Sequence, residues 1–526
     1  MKTCSYLLAL SLVTSCCLAA DYCVTVGGGY SRSGNQVSIE RNVAFQQSVL
    51  ASLTGGPPSL DVFFSDGAGQ GADVVYRDPA ATEAHPSALY LYARIFSDDD
   101  SYAIRYRNHQ LTGIAGPSHP KLLELRLRTL ARKVGPGDRL LFYATAHGGK
   151  AEQEPGRRGR RRRRGAESEE QAQEPPFNEF NTTLYFWDRK TVAASEFEAM
   201  LDRLPPDVPV ILVMVQCYSG GFSHVIFDEA NAQKGLSPHL RCGFFSQVHD
   251  RPAAGCTPDV EEADYQEYSS FFWAALGGVT RAGEPVTDAD YDGNGRVSFA
   301  EAHAYAVLQS DTIDIPIRTT GAFLRAIDRP QGHPEPRFEG KLSELSRTAR
   351  SDQWAILLGL PGKIGLGVDA TMQDVRNAQW RLRREQRNAQ RELSRAARDT
   401  LEARRNLRER VKEMWPDIED GRNRYTRELV SDHADEFIEQ VESLPEYEAY
   451  LCAEDIRQQK DRLADHLRCQ EIKALRLLRT CQNILLADDL PNVASLEVLK
   501  RYEQMRDLEE GYLVNSPGED VLGARR

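Results

Sequence analysis

The chain has 526 residues, 41 % of them hydrophobic and 27 % charged, with a formal net charge of −12. That length implies two or three domains, and the apolar share is enough for a sizeable core. The acidic balance disfavours a nucleic-acid partner, although charge is uneven: "RRGRRRRRG" (157–165) runs straight into "AESEEQAQE".

Residues 1–20 read as a secretory signal: one Lys near the start, a short apolar run and small residues at Ala19 and Ala20. The run is too short to span a bilayer, and no transmembrane segment is expected. "VTSC" also resembles a lipobox, with Cys16 as the lipidated residue; plain cleavage is the simpler alternative. Either way the protein is expected to be secreted or extracytoplasmic. Cleavage after Ala20 leaves seven cysteines: Cys23, Cys217, Cys242, Cys256, Cys452, Cys469 and Cys481. An odd number leaves at least one without an internal partner. Cys242 and Cys256 flank one segment and can pair, and the last three can hold one bridge.

From 21 to 360 strand and helix patterns alternate. "YCVTVGG" is a first strand, "SIERNVAFQQSVLASL" a helix and "LDVFFSD" a second strand. "KLLELRLRTLARKV" is apolar at helical spacing and stops at "GPGD". "RLLFYATAHGG" is a near-continuously apolar third strand, "AASEFEAMLDRL" a helix, and "VPVILVMVQC" and "CGFFSQVHD" the fourth and fifth strands. Apolar strands without alternation, separated by helices, indicate an α/β fold with a mostly parallel sheet covered on both faces. Residues 150–177 interrupt the pattern with a polar, Arg-rich and Glu-rich insert expected to be a disordered surface loop.

"DYDGNGRVSFAE" matches an EF-hand-type calcium loop at every position. Asp290, Asp292 and Asn294 stand at positions 1, 3 and 5, Gly295 at the sharp turn, the Arg296 carbonyl at 7, Ser298 at 9 and Glu301 at 12. The exiting helix is present but "GEPVTDA" before the loop is turn-like, so one Ca²⁺ in a half-formed hand is expected. The alternative is a solvated acidic turn.

From 361 to 526 the composition turns helical. Ala389, Ala396 and Ala403 recur every seven residues, as do Leu393, Thr400, Leu407 and Met414. Further helices are expected at 425–441, 446–487 and 494–513, broken at Pro416, Pro445 and Pro491. A coiled-coil-like hairpin or bundle follows. It can bind another protein or self-associate, but a solvated charged face is the plainer account of its charges.

Two strands close on reactive residues, His147 and Cys217. At one edge of a parallel sheet an imidazole can take a thiol's proton and later protonate a leaving amine. Gly148 and Gly149 leave room for backbone N–H groups to approach an oxyanion. Each residue alone is more simply a core histidine or a buried thiol; both at equivalent strand ends is a stronger pattern.

An apolar strand ending in His147-Gly148, a helix, and an apolar strand ending in "CYSGGF" together resemble the caspase–legumain clan of cysteine peptidases. "GGGYSRSGNQ" after the first strand resembles legumain's first substrate-binding loop. The resemblance covers about residues 21–325. It implies a three-layer α/β/α sandwich, Cys217 as nucleophile, His147 as general acid/base and the N–H groups of Gly148 and Cys217 as an oxyanion hole. It also implies protein or peptide substrates contacted by Arg32, Asn35, Tyr218, Ser219, Ser246 and Asp264. The pocket departs from the family: Gly34 stands where an Arg is expected, Arg32 lies two residues away, and Tyr218 replaces an acidic residue. Asp264 without a compensating Arg favours a basic P1 residue; Arg32 reaching in favours an acidic or Asn one. Beside a cysteine endopeptidase (transpeptidation being the same dyad's other outcome) stand two alternatives. One is a serine hydrolase with Ser219 as nucleophile, from "HGG" and "CYSGG". The other is a catalytically silent protein of the same fold used for binding. The Arg-rich insert leaves the catalytic edge, so it is either a cleavable cover for the cleft or an insertion without a role.

Overall fold

The computed structural model describes residues 20–54, 60–82, 87–97, 100–152, 177–260, 265–367 and 369–513. The expected signal segment with Cys16, the core of the Arg-rich insert (153–176) and Asp264 lie outside the described residues.

The centre is a seven-stranded sheet: β1 (Asp21–Gly28), β2 (Leu60–Phe64), β3 (Ile114–Gly116), β4 (Arg139–Ala146), β5 (Val210–Met214), β6 (Arg241–Phe245) and β7 (Ile317–Arg318). Spatial order is β7-β6-β5-β4-β1-β2-β3, parallel throughout except for β7, which runs antiparallel to β6. The side-chain alternation of a strand sends Leu140, Phe142 and Ala144 to one face and Leu141 and Tyr143 to the other. On the first face they meet Leu123 and Leu127 of the Pro120–Leu130 helix and Phe197 and Leu201 of the Ala194–Leu201 helix. On the second they meet Val49 of the Val37–Thr54 helix, Trp273 of the Tyr268–Gly277 helix and Phe299 of the Phe299–Gln309 helix. Both faces are covered, which is why β4 and β5 read as unbroken apolar runs.

The carboxy-terminal region is helical. Two long helices, Met372–Met414 and Pro445–Val493, pack antiparallel. The direction follows from cross-links that ascend one helix and descend the other. Gln379 bonds Glu471 (2.9 Å), Lys460 bonds Glu392 (2.8 Å), and the Thr400 hydroxyl donates to the Ala453 carbonyl (3.0 Å). Ala389, Ala396, Thr400 and Leu407 are buried on the seam. At one end Met372, Val375 and Leu477 pack with Ile356 and Leu360 of the Ser351–Lys363 helix. At the other, Leu407 and Val411 pack against Leu91 and Ile95 of the Ala88–Phe96 helix, so the hairpin straps across the sheet region.

Two expectations change. Pro491 does not break its helix, which continues to Val493: only the final turn lies beyond it, so few backbone bonds are at stake. The helix expected at 425–441 is two, Arg424–Ser431 and Ala434–Glu442. The seven described cysteines are all free. Cys242, expected as a partner for Cys256, is buried mid-strand in β6, whereas Cys256 is exposed. Among the described residues no helix is long and apolar enough to cross a membrane.

Candidate functional site

β4 and β5 are neighbours, with Val213 opposite Tyr143 and Met214 opposite Ala144. The Val215 N–H donates to the Ala144 carbonyl (2.9 Å). β5 ends at Met214 opposite Ala144, so the segments carrying His147 and Cys217 leave neighbouring strands at the same end of the sheet. Adjacent strands lie about 4.8 Å apart. Topology therefore brings thiol and imidazole to one edge of the sheet, at the carboxyl ends where open α/β sheets bind ligands. Cys217 does not itself close a strand: it sits in the turn beyond β5.

The imidazole is held from the opposite side. His147 Nε2 lies 2.7 Å from the Gly34 carbonyl and 3.0 Å from Gln36 Oε1. Both are acceptors, so Nε2 carries the proton and Nδ1 keeps the basic lone pair. Tyr30 packs edge-on at 5.1 Å between centroids. Burial pushes the imidazole pKa below its ordinary value, opposed by the bond to Gly34.

On the thiol side, the Ala253 N–H donates to Cys217 Sγ (3.2 Å), with the Ala253 carbonyl 3.8 Å from the sulfur. Burial raises the thiol pKa; the Ala253 amide lowers it and the Asp314 carboxylate raises it further. The backbone N–H of Cys217 itself also lowers the thiol pKa. Tyr218 follows at φ 60°, a left-handed conformation that costs a non-glycine residue about 1–3 kcal/mol. It is pinned by its N–H to the Arg251 carbonyl (2.9 Å) and by the Thr182 hydroxyl on its own carbonyl (2.9 Å). Gly148 has to be glycine, because a Cβ there would overlap the carbonyl oxygen of Cys217. Close backbone contact between the two turns is thus built into the sequence.

Asp314 stands behind this loop. Its Oδ1 accepts the Ala254 N–H (2.8 Å), while Oδ2 is buried without a hydrogen-bond partner. Burial pushes its carboxyl up to about 7. Gln216, next to the thiol, buries both amide heavy atoms without partners.

The residues expected to contact substrate divide. Arg32 is exposed and stacks on Tyr106, its Cζ 4.0 Å from the ring centroid. Tyr218 is half-buried beside Lys150 (5.7 Å from Nζ to ring). Asn35, Ser219 and Ser246 are buried. Asn35 accepts the Gly29 N–H (3.0 Å) and donates to Ser65 Oγ (3.1 Å) and the Asp73 carbonyl (2.9 Å), which uses the side chain to shape its own loop. Ser219 Oγ accepts the Gln247 N–H (3.2 Å) and lies 3.5 Å from Ser246 Oγ. Both hydroxyls tie the post-cysteine turn to the segment after β6. Gly34, Gln36, Ala253 and Asp314 carry parts of the site that the sequence did not reveal. The first two lie in a loop already singled out; nothing local marks Ala253 or Asp314.

The Asp290–Glu301 loop folds into the Phe299–Gln309 helix. Asp290 accepts N–H groups from Gly293 (2.9 Å), Asn294 (3.2 Å) and Gly295 (2.8 Å), and these bonds lower its pKa. Glu301 accepts from Tyr291 (2.8 Å), Asp292 (3.0 Å) and Ser298 (2.9 Å). Asp290, Asp292 and Glu301 each bring a carboxylate oxygen within 4.8 Å of the others, an all-oxygen set suited to a hard cation. The Ser298 hydroxyl caps the helix through Glu301, and the Arg296 guanidinium sits over Tyr512 (4.3 Å). Asn294 donates to Tyr512 Oη (2.8 Å). No entering helix is present, as expected.

No protein-family model matches the chain, and no curated protein matches it. Among solved structures it is similar to GSU0716 from Geobacter sulfurreducens at 10 % identity, covering 57 % of this chain and 92 % of that one. The TM-score is 0.30, a likeness that carries no argument about fold or function.

Proposed function

We propose that the chain is an exported cysteine endopeptidase of caspase–legumain type, with the three-layer arrangement of that clan, Cys217 as nucleophile and His147 as general acid/base. The observation that carries this reading is that His147 and Cys217 follow the carboxyl ends of two adjacent parallel strands, with the Cys217 carbonyl against Gly148. The anchoring of Nε2 on Gly34 supports it, since it leaves Nδ1 to take the thiol proton. The N–H of Cys217, in the turn beyond β5, is a candidate oxyanion donor. Against the Ser219 alternative stands the burial of that hydroxyl in bonds to Gln247.

The resting pair is thiol and neutral imidazole, because burial raises one pKa and lowers the other. The proton moves as the bond to the carbonyl carbon forms, so peptide cleavage rises as pH passes the lowered imidazole pKa and levels off through neutrality, before the raised thiol pKa is reached. In the same proposal the Asp290–Glu301 loop binds one Ca²⁺ as a structural ion.

A positional scan of fluorogenic peptides, with and without Ca²⁺, tests the reading together with thiol-directed and fluorophosphonate probes. Cys217→Ala and His147→Ala should each lower turnover at least about 10³-fold with the fold intact. Retained activity in Cys217→Ala with fluorophosphonate labelling would transfer the chemistry to Ser219. Silence toward all peptides and both probes would leave a binding protein.

A further inference from the structure

Beyond β2 the chain runs "SDGAGQGADV" and folds back into the Val74–Arg77 strand. Ser65 takes φ 43° and Gly67 φ 80°, and a Cβ at Gly69 would overlap the Asp66 carboxylate. This tight loop sets Asp66 near Asp73. The Ile104–Arg107 strand pairs antiparallel with Val74–Arg77, Arg107 opposite Val74, and so delivers His109 to the same place. One ligand atom from each of Asp66, Asp73 and His109 lies within 4.8 Å of the other two.

We propose that Asp66, Asp73 and His109 bind a first-row divalent transition-metal ion of the Zn²⁺ or Mn²⁺ class. Proximity alone would not establish this; the state of the donor atoms does. Asp73 is 2 % exposed, and its Oδ1 accepts the His109 N–H (2.8 Å) while its Oδ2 is buried without a partner. Asp66 Oδ1 and His109 Nδ1 are likewise buried and unpartnered. Each such atom costs about 1–3 kcal/mol unless something satisfies it, and one cation satisfies all three. The imidazole is already oriented for this. Its Nε2 donates to the Gly67 carbonyl (2.9 Å), which leaves the lone pair on Nδ1, and its ring packs edge-on against Phe64 (5.6 Å). A backbone carbonyl on the far nitrogen is the usual outer support of a metal-bound histidine. Arg107, which interacts with the charge of Asp73, directs its guanidinium to Glu40 (2.5 Å).

Donor chemistry selects the ion. An imidazole nitrogen with two carboxylates suits Zn²⁺, Mn²⁺ or Fe²⁺, whereas Ca²⁺ and Mg²⁺ prefer oxygen alone. The site is therefore distinct in kind from the all-oxygen Asp290–Glu301 loop. Three protein ligands leave further positions to water. The site also abuts the loop that holds His147: Asn35 bonds Ser65 and the Asp73 carbonyl, and its neighbours Gly34 and Gln36 contact the imidazole. A bound ion would brace that loop. Metal binding itself does not depend on the peptidase reading.

The test titrates the full-length, chelator-treated protein with Zn²⁺ and with Mn²⁺ by calorimetry, with Ca²⁺ in excess to fill the other loop. Co²⁺ serves as a spectroscopic probe of an imidazole-bearing site. Wild type should take up one ion that His109→Gln and Asp66→Asn bind at least about tenfold more weakly, with the visible Co²⁺ bands altered or lost. Asp290→Asn should behave as wild type. Asp66 is only half-buried, so its variant carries the test if changes at Asp73 prevent folding. Equal binding of both ions by wild type and the two site variants, with unchanged Co²⁺ spectra, would overturn the proposal. No substrate is involved, so failure here leaves the Cys217 reading standing, and an inactive Cys217 leaves this one standing.

Discussion

The carboxyl of Asp314 is the residue whose environment has the largest consequence at the candidate site. It is buried, its Oδ2 is unpartnered, and burial moves it from an ordinary carboxylate to about 7. In the unfolded chain it loses its proton near pH 4; in the folded chain it keeps it to about 7. The folded state thus binds more protons across that window, and this group's contribution to stability is lost as pH rises through it. Asp314→Asn preserves an acceptor for the Ala254 N–H and removes the titration. Urea unfolding at pH 5 and pH 8 should show wild type losing about 2–4 kcal/mol more than the variant over this interval. The Asp314 charge also raises the Cys217 thiol. Iodoacetamide alkylation of Cys217 in the variant should therefore show a midpoint lower by about one pH unit or less. An unmoved midpoint would mean that the two groups do not sense each other.

Among elements, those legible in the sequence are the ones whose pattern is set by burial on both faces. β1, β2, β4, β5 and β6 are apolar runs because helices cover the sheet on each side. The alanine and leucine repeat from 389 to 407 is legible because the seam repeats with the helix. The Val74–Arg77 and Ile104–Arg107 ribbon is not, being short, half-buried and rich in Arg and Tyr. With it went the Asp66–Asp73–His109 cluster, whose members meet only once that ribbon and the β2 loop have folded. His147 and Cys217 stand out in the sequence because each follows a near-continuous apolar run. The burial of Asn35, Ser219 and Ser246 is not legible, because sequence places a polar residue at an edge without showing which side it faces. The Asp290–Glu301 loop stands out in the sequence because its acidic and glycine positions are contiguous. Its carboxylates are turned inward by loop N–H groups even before any ion is considered. Ca²⁺ at about a hundred times its dissociation constant should add about 2.7 kcal/mol of stability. Asp290→Asn or Glu301→Gln should abolish the calcium-dependent rise in melting temperature. A wild-type melting point equal in millimolar Ca²⁺ and in chelator would reject calcium at this loop.

At the scale of the whole molecule, one buried guanidinium joins the helical hairpin to the site. Arg476, in the Pro445–Val493 helix, donates to four carbonyls: Asp314 (2.7 Å), Val307 (2.9 Å), Ser310 (2.8 Å) and Thr312 (3.3 Å). These belong to the last turn of the Phe299–Gln309 helix and the chain leaving it toward β7, and no sequence pattern links them to residue 476. The chain of contacts continues from Asp314 to the Ala254 N–H, and from neighbouring Ala253 to the Cys217 sulfur. Arg476→Met removes the donors and leaves the carbonyls buried, a loss of about 3–5 kcal/mol. For a chain of this length that is a fall of about 3–5 °C in melting temperature. If the contacts transmit order, the Ala253–Ala254 segment loosens as well, and Cys217 alkylates faster than in wild type at the same pH. The control is Lys460→Ala, which breaks the Lys460–Glu392 pair (2.8 Å) on the exposed flank of the same hairpin. Such a pair contributes about 0–1 kcal/mol, so both stability and thiol reactivity should stay near wild type. A variant at Arg476 that melts earlier while Cys217 reacts at the wild-type rate would show that the hairpin stabilises the sheet region without reaching the thiol.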